Sequence, residues 1–307
     1  MAFIKNYWIT MRPYLLFLSG STGLLGLSFT ELPLGYILLY GTVFFFSYGF
    51  GQALTDCFQT DTDALSSPYR PMVQGKVSKG AVFLVSLCML LLSGFVLTLA
   101  NSTNLLLAGA AVVGLITYTY FKRRWWGGPF YNAWIVALLT LMGYLSHGAS
   151  LFRASKDPYL FYALLTVFFA YANFVLIGYF KDVEADRATG YKTLPVAFGR
   201  YVASWVSVLF GIFTLIPAYM LLFAKFEWQG ATLMIGGILF LITALYQTFA
   251  IKKDEEAHRA ISHVVHSYVL LISGMTCLFQ PDWYGYMLLF YALFCLTLQR
   301  RPCYQQV

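Results

Sequence analysis

Apolar positions along the chain come in ten long runs separated by short polar breaks. The runs lie at 14–30, 34–54, 80–100, 103–121, 130–150, 158–180, 202–223, 229–251, 263–279 and 283–299. None shows the alternating polarity that an outer-membrane strand would carry over roughly 10 residues. Most approach the roughly 20 residues that a helix needs to cross a hydrocarbon core of about 30 Å. The pattern predicts an all-α, polytopic transmembrane helical bundle, with the last two runs the shortest. The first run is followed at once by a second and lacks a small-residue cleavage site, so it reads as a retained helix and not a signal peptide. No linker or low-complexity stretch divides the chain, and residues 1–307 read as a single domain.

Composition agrees with the pattern. With 59% hydrophobic residues, 19% aromatic and only 11% charged among 307, the chain carries more apolar surface than one soluble core of this size buries. Its 20 Lys and Arg residues divide sharply between the ends of the runs. Seventeen fall on one side, from Lys5 and Arg12 through Arg70, Lys122 and Lys192 to Arg300 and Arg301, against Arg153, Lys156 and Lys225 on the other. By the positive-inside rule the rich side faces the cytoplasm. The net charge of +7 is thus a topological signal spread over several loops, and it gives no reason to expect nucleic acid as a partner. Cys57, Cys88, Cys277, Cys295 and Cys303 show no metal-ligand or redox spacing and read as small hydrophobes.

The loops on the basic side are longer and richer in polar residues. Seven ionisable side chains crowd between Lys181 and Lys192, and a second cluster runs from Asp56 to Asp63. If the helix at 34–54 continues past the membrane surface, Asp56, Gln59 and Asp63 share one face, as do Asp182 and Asp186. Carboxylates a turn apart repel unless a cation lies between them. All-oxygen ligands suit Mg²⁺, which completes its shell with water and substrate phosphate. Arg70, Lys122, Arg123, Arg124, Lys181, Arg187 and Lys192 are placed to meet phosphate oxygens. Charge in wet loops is ordinary, and for Asp61, Glu184, Asp254, Glu255 and Glu256 that plainer reading is preferred. Trp125 and Trp126 read as an interfacial belt. His263 and His266, three positions apart, find no third ligand, and with His258 they read as an interfacial helix start; His147 reads as a satisfied residue within a span. The runs at 34–54 and 158–180 both end in an Asp followed by Arg and Gly, a weak sign of internal duplication.

Four segments together resemble the UbiA superfamily of intramembrane prenyltransferases over about residues 12–266. RPYLLFLSGSTGLLG at 12–26 resembles the family's opening helix. TDCFQTDTD at 55–63, with SPYRPMVQGKVS at 67–78, resembles its first Asp motif. YTYFKRRWWGGP at 118–129 resembles the loop after the fourth helix, and KDVEADRATGYKTLPVAFGR at 181–200 the second Asp motif. The resemblance implies nine helices around a central cavity open to lipid, with the run at 283–299 as an addition. It also implies Mg²⁺-dependent transfer of an isoprenyl group from a prenyl diphosphate donor to a hydrophobic, commonly aromatic, acceptor. Asp56, Asp63, Asp182 and Asp186 match the catalytic and metal-binding Asp positions, with Gln59 a metal ligand where the family has its middle Asp. Arg70, Lys122, Lys181 and Lys192 match positions near the diphosphate, which Gln59 also faces. Thr55 and Gln59 depart from the family pattern, and the sequence leaves open whether Asp61 replaces the missing carboxylate.

The mechanism expected is neutralisation of the leaving diphosphate and capture of the allylic cation by the acceptor in a dry cavity. A terpene cyclase with the same clamp is the alternative. A transporter is the more distant one, because the acidic residues sit at segment ends and not at mid-membrane.

Overall fold

The computed structural model describes residues 2–300, which form fourteen α-helices and no strand. They are α1 (Ala2–Met11), α2 (Leu16–Leu27), α3 (Leu34–Asp56), α4 (Thr60–Ser66), α5 (Lys79–Thr98), α6 (Thr103–Arg124) and α7 (Gly128–Leu145). The second half comprises α8 (Leu151–Lys156), α9 (Pro158–Gly178), α10 (Val183–Ala188), α11 (Leu194–Ala224), α12 (Trp228–Thr248), α13 (His258–Phe279) and α14 (Tyr284–Gln299). Each of the ten apolar runs contains one long helix. Eight of these are long and apolar enough to cross a membrane, while Pro13–Leu27 and α14 are shorter. Arg301 and Cys303 lie outside the described residues.

The ten helices are not equivalent. Neighbours in sequence pack side by side from α2 round to α13, and α13 returns to α2, which closes a ring of nine. The tenth, α14, lies outside the ring against α13 and the turn that opens α2. Outward-facing Leu106, Phe223 and Tyr246 are each at least three quarters exposed. Apolar surface of this extent is stable only in contact with lipid.

Close backbone approach holds the ring together. A Cβ added at Gly26 of α2 would stand 2.2 Å from the Thr140 carbonyl oxygen of α7, and one at Gly143 would stand 2.7 Å from the Gly23 carbonyl oxygen. Only glycine fits at such a crossing, a device common between membrane helices. α11 differs from the expected run at 202–223. Its first turn begins at Leu194 with Pro195, breaks at Gly199 (φ 82°), and only then continues as the spanning helix. Two further differences concern polar ends. His147, expected within a span, lies beyond the end of α7, and the Asp56–Asp63 stretch is not one continuous helix.

That break shapes the site. α3 ends at Asp56, Gln59 adopts a non-helical φ of −131°, and α4 starts at Thr60. The second cluster repeats the plan: α9 gives way to a 3₁₀ turn at Tyr179–Lys181, Asp182 caps, and α10 follows. The two short helices pack on each other, joined by the Thr62 and Thr189 hydroxyls at 2.9 Å. Together they roof one end of the ring.

Candidate active site

Beneath the α4–α10 roof lies a chamber of about 750 Å³ of empty space, lined by polar ends of α3, α6 and α9. Gln59, Asp63, Arg70, Lys122, Lys181 and Asp182 all border it. The two Asp clusters, more than a hundred positions apart in the chain, therefore meet at one cavity. Asp56 and Asp186 stand behind its wall and hold the cations that face it.

Asp56 is the most heavily bonded of the carboxylates. It accepts hydrogen bonds from Arg12 Nη2 at 3.0 and 2.9 Å and from Gln52 Nε2 at 2.6 Å. Arg70 Nη1 lies 3.7 Å away and also forms an ion pair with Asp63. On the opposite wall Asp186, fully buried, accepts from Lys122 Nζ at 3.3 Å and from the Thr193 hydroxyl at 3.1 Å. The Lys122 ammonium also sits over the Tyr179 and Tyr191 rings, 4.9 and 4.8 Å from their centroids, a favourable placement for a cation removed from water. Burial is the largest influence on both Asp63 and Asp186 and pushes each carboxyl up to about 6, against the opposing pull of Arg70 and Lys122 respectively.

Asp182 behaves differently. Its Oδ1 is buried and has no hydrogen-bond partner. A buried carboxylate oxygen left unbonded is costly, and this one borders the chamber. Among the described residues no three His, Cys, Asp or Glu side chains converge. Asp63, Asp182 and Gln59 nonetheless border the chamber together and would supply two carboxylates and an amide oxygen. That set fits Mg²⁺, which takes one or two carboxylates and fills its shell with substrate phosphate.

The structure separates the remaining candidates. Asp61 points away from the chamber and pairs with Arg123 on the surface, so Gln59, not Asp61, occupies the middle position at the cavity. Lys192 is exposed, and its backbone N–H donates to the Arg123 carbonyl at 3.1 Å. His263 and His266 each hydrogen-bond a neighbour in the bundle, through Gln247 and Tyr291 at 2.8 Å. Arg12, which also borders the chamber, reads from the sequence only as part of the opening helix. It lies just before Pro13 and adopts a left-handed backbone (φ 54°), a conformation costly for a residue with a Cβ, and this directs its guanidinium to Asp56. The Arg-Pro pair that opens the first run was the available signal.

The chamber adjoins a second cavity, lined mostly by apolar side chains of α3, α5, α6 and α7. Tyr48, Gln52, Thr55, Asn132 and Tyr171 border both and form a polar neck. Tyr48 donates to Gln52 Oε1 at 3.2 Å, which fixes the Gln52 amide so that its nitrogen serves Asp56. A cation-lined chamber thus meets an apolar space across a hydroxyl-rich neck.

Comparison with known proteins gives a consistent picture. The model of the UbiA prenyltransferase family matches residues 15–262. The digeranylgeranylglyceryl phosphate synthase of Thermococcus kodakarensis is 28% identical over 263 residues, 81% of this chain and 88% of that protein. The enzyme of the same name from Methanococcus aeolicus is 30% identical over 178 residues, 58% of this chain and 61% of the relative. The chlorophyll synthase of Arabidopsis thaliana is 30% identical over 173 residues, 52% of this chain and 43% of that protein. Among solved structures, the apo UbiA homolog from Aeropyrum pernix has a TM-score of 0.72 at 18% identity, covering 89% of this chain and 96% of its own. A UbiA homolog from Archaeoglobus fulgidus bound to DMAPP and Mg²⁺ has a TM-score of 0.64 at 17% identity, covering 87% of this chain and 99% of its own.

Proposed function

The chain belongs to the UbiA prenyltransferase family and is a multi-pass membrane prenyltransferase, and we propose that its donor diphosphate binds in the chamber beneath α4 and α10. The observation that carries this reading is the junction of a cation-lined chamber with an apolar cavity, one compartment for each half of a prenyl diphosphate. Arg70, Lys122 and Lys181 are the diphosphate-binding groups. Gln59, Asp63 and Asp182 are the residues that would hold Mg²⁺, which supplies positive charge at the phosphate oxygens; that the Archaeoglobus homolog binds DMAPP with Mg²⁺ supports metal-dependent donor binding in this fold. Asp56 and Asp186 act from behind the wall by fixing Arg12, Arg70 and Lys122. Lys192, exposed beside the roof, draws the anionic donor toward the opening.

In the proposed reaction the donor C1–O bond breaks and its electron pair leaves with the diphosphate. Fixed cations stabilise that developing charge without reorganising. The allylic cation lies at the neck beside the Tyr48 and Tyr171 side chains, and the apolar cavity excludes water. A nucleophilic carbon of an aromatic acceptor forms the new bond, and the departing diphosphate takes the ring proton. A glyceryl phosphate type of acceptor is the second reading, supported by the names of the archaeal relatives. Neither a cyclase nor a transporter is favoured by the family. The basic face that carries both Asp clusters is assigned to the cytoplasm from its Lys and Arg excess, membrane lipid is the medium from which both substrates arrive, and residues 1–307 act as a single domain.

Diphosphate release by the detergent-purified protein with Mg²⁺, with and without aromatic and glyceryl phosphate acceptors, tests the reading. Release that requires an acceptor supports transfer. Release without one, yielding a cyclic hydrocarbon, contradicts it.

A further inference from the structure

We infer that Asp254 is a positioning residue for the reaction, which caps α10 in place of Asp182 and so leaves the Asp182 carboxylate to the chamber; this rests on the assignment of Asp182 to the donor clamp. Asp254 stands outside the chamber lining, and from the sequence it reads as ordinary loop charge.

A helix start leaves its first backbone N–H groups without partners, and an Asp at the N-cap ordinarily accepts from the second or third of them. Asp157 does so in this chain, where its Oδ1 accepts from the Tyr159 and Leu160 N–H groups of α9 at 2.9 and 3.1 Å. Asp182 holds the same position at α10, yet its side chain makes no capping bond. Its backbone accounts for the difference. With φ −118° and ψ 11° it lies outside the extended region that N-caps favour, whereas Asp157 has ψ 108°. The Asp182 carboxylate is thereby released from α10, and its Oδ1 is buried without a hydrogen bond.

The bond that Asp182 withholds is made from 70 positions further along the chain. Asp254 Oδ2 accepts the Glu184 N–H at 2.9 Å, and Glu184 is the second residue of α10. The other Asp254 oxygen pairs with Arg200, which follows the left-handed break at Gly199. The turn that carries Asp254 is fastened as well: Glu256 Oε2 accepts the N–H groups of Lys252 and Lys253 at 2.7 and 3.2 Å. Asp254 thus ties the start of α10 to α11 and to the turn that opens α13, and its charge suits a helix N-terminus. Without it, α10 recovers a cap by drawing Asp182 back to its own amides and out of the chamber.

The test uses the full-length protein and two readouts. One is amide hydrogen exchange of the α10 segment without ligand; the other is the Mg²⁺ concentration needed to bind a non-reactive farnesyl thiodiphosphate. Because either Asp can cap, Asp182→Ala and Asp254→Ala should each leave α10 exchange within about twofold of wild type, while the double variant exchanges roughly fivefold faster. Asp254→Ala should also raise the Mg²⁺ requirement roughly 10- to 100-fold, as loss of a residue behind a metal ligand does. Asp254→Asn, whose amide oxygen still caps, should stay within about twofold of wild type. Native exchange in the single variants separates this outcome from a general loss of folding. A double variant that exchanges no faster, an Asp254→Ala that alone exchanges as fast as the double, or an unchanged Mg²⁺ requirement in Asp254→Ala overturns the inference. The expected exchange pattern in a wild type that binds the thiodiphosphate without regard to Mg²⁺ would instead overturn the clamp and leave the swap of caps standing.

Discussion

Arg12 places a single nitrogen, Nη2, 3.0 and 2.9 Å from the two carboxylate oxygens of Asp56, 44 positions further along the chain. The pair is nearly closed to solvent, with side chains 11% and 2% exposed. It fastens the hinge between α1 and α2 to the end of α3, and so to the roof of the chamber. Breaking a buried pair by removing one partner leaves the other charge uncompensated, at a cost of about 3–5 kcal/mol. Arg12→Ala should therefore lower the thermal midpoint markedly and reduce turnover, read by unfolding in detergent and by diphosphate release. A variant with wild-type stability would show that the pair contributes no fixation.

Asp182 and Asp186 should separate by phenotype. Asp182 Oδ1 has no hydrogen bond to lose, so Asp182→Asn, which keeps the side chain's shape, should cost little stability while turnover falls by roughly 10²–10³. Asp186 neutralises Lys122 inside the protein, so Asp186→Ala should lose stability as well as activity. Equal stability in the two variants would contradict the division between a chamber-facing and a supporting carboxylate.

The raised Asp63 and Asp186 carboxyls give a pH dependence with a definite sign. Each lies near 6 in the folded chain against an ordinary value of 3.8, so the folded state binds protons more tightly than the unfolded one. Their contribution to stability is complete below about 3.8 and is lost as pH rises through about 6. Mg²⁺ would offset this loss at Asp63, and only where that carboxylate is ionised. Added Mg²⁺ should raise the thermal midpoint above that range and do little below it; a pH-independent Mg²⁺ shift would refute the coupling.

Asp61 and Gln59 supply a paired control. The Asp61–Arg123 pair is partly exposed, and such pairs are worth roughly 0–1 kcal/mol. Asp61→Ala should leave both stability and turnover close to wild type. Gln59→Asp adds a carboxylate beside Asp63 and Asp182 and should tighten Mg²⁺ activation. Inactivation by Asp61→Ala, or weaker activation in Gln59→Asp, would mean that the wrong residue has been placed at the cavity.

Much of this architecture was legible in the sequence because each apolar run had to become a helix: in lipid the backbone has few other ways to satisfy its hydrogen bonds. The meeting of the two Asp clusters at one cavity was likewise expected from their place at helix ends on the basic face, although Asp56 and Asp186, expected there too, stand behind its wall. What escaped was local. The break at Gln59 depends on how α4 packs against α10 through Thr62 and Thr189, a contact between segments distant in the chain. Arg12 was visible only as a basic residue before Pro13, since its role depends on a left-handed turn that the pattern of polarity does not encode. The neck residues Tyr48, Gln52, Asn132 and Tyr171 were hidden among 28 Phe, 23 Tyr and 7 Trp, where one more ring or amide carries no signal.

Whether the chamber is a Mg²⁺-dependent diphosphate clamp is tested most directly by equilibrium binding of a non-reactive farnesyl thiodiphosphate, with and without Mg²⁺, to wild type and to Asp63→Asn/Asp182→Asn. Binding by wild type that requires Mg²⁺ and is weakened at least roughly a hundredfold in the double variant, about 2.7 kcal/mol, is the predicted result. Equal binding by the two proteins, or binding indifferent to Mg²⁺, would contradict the clamp.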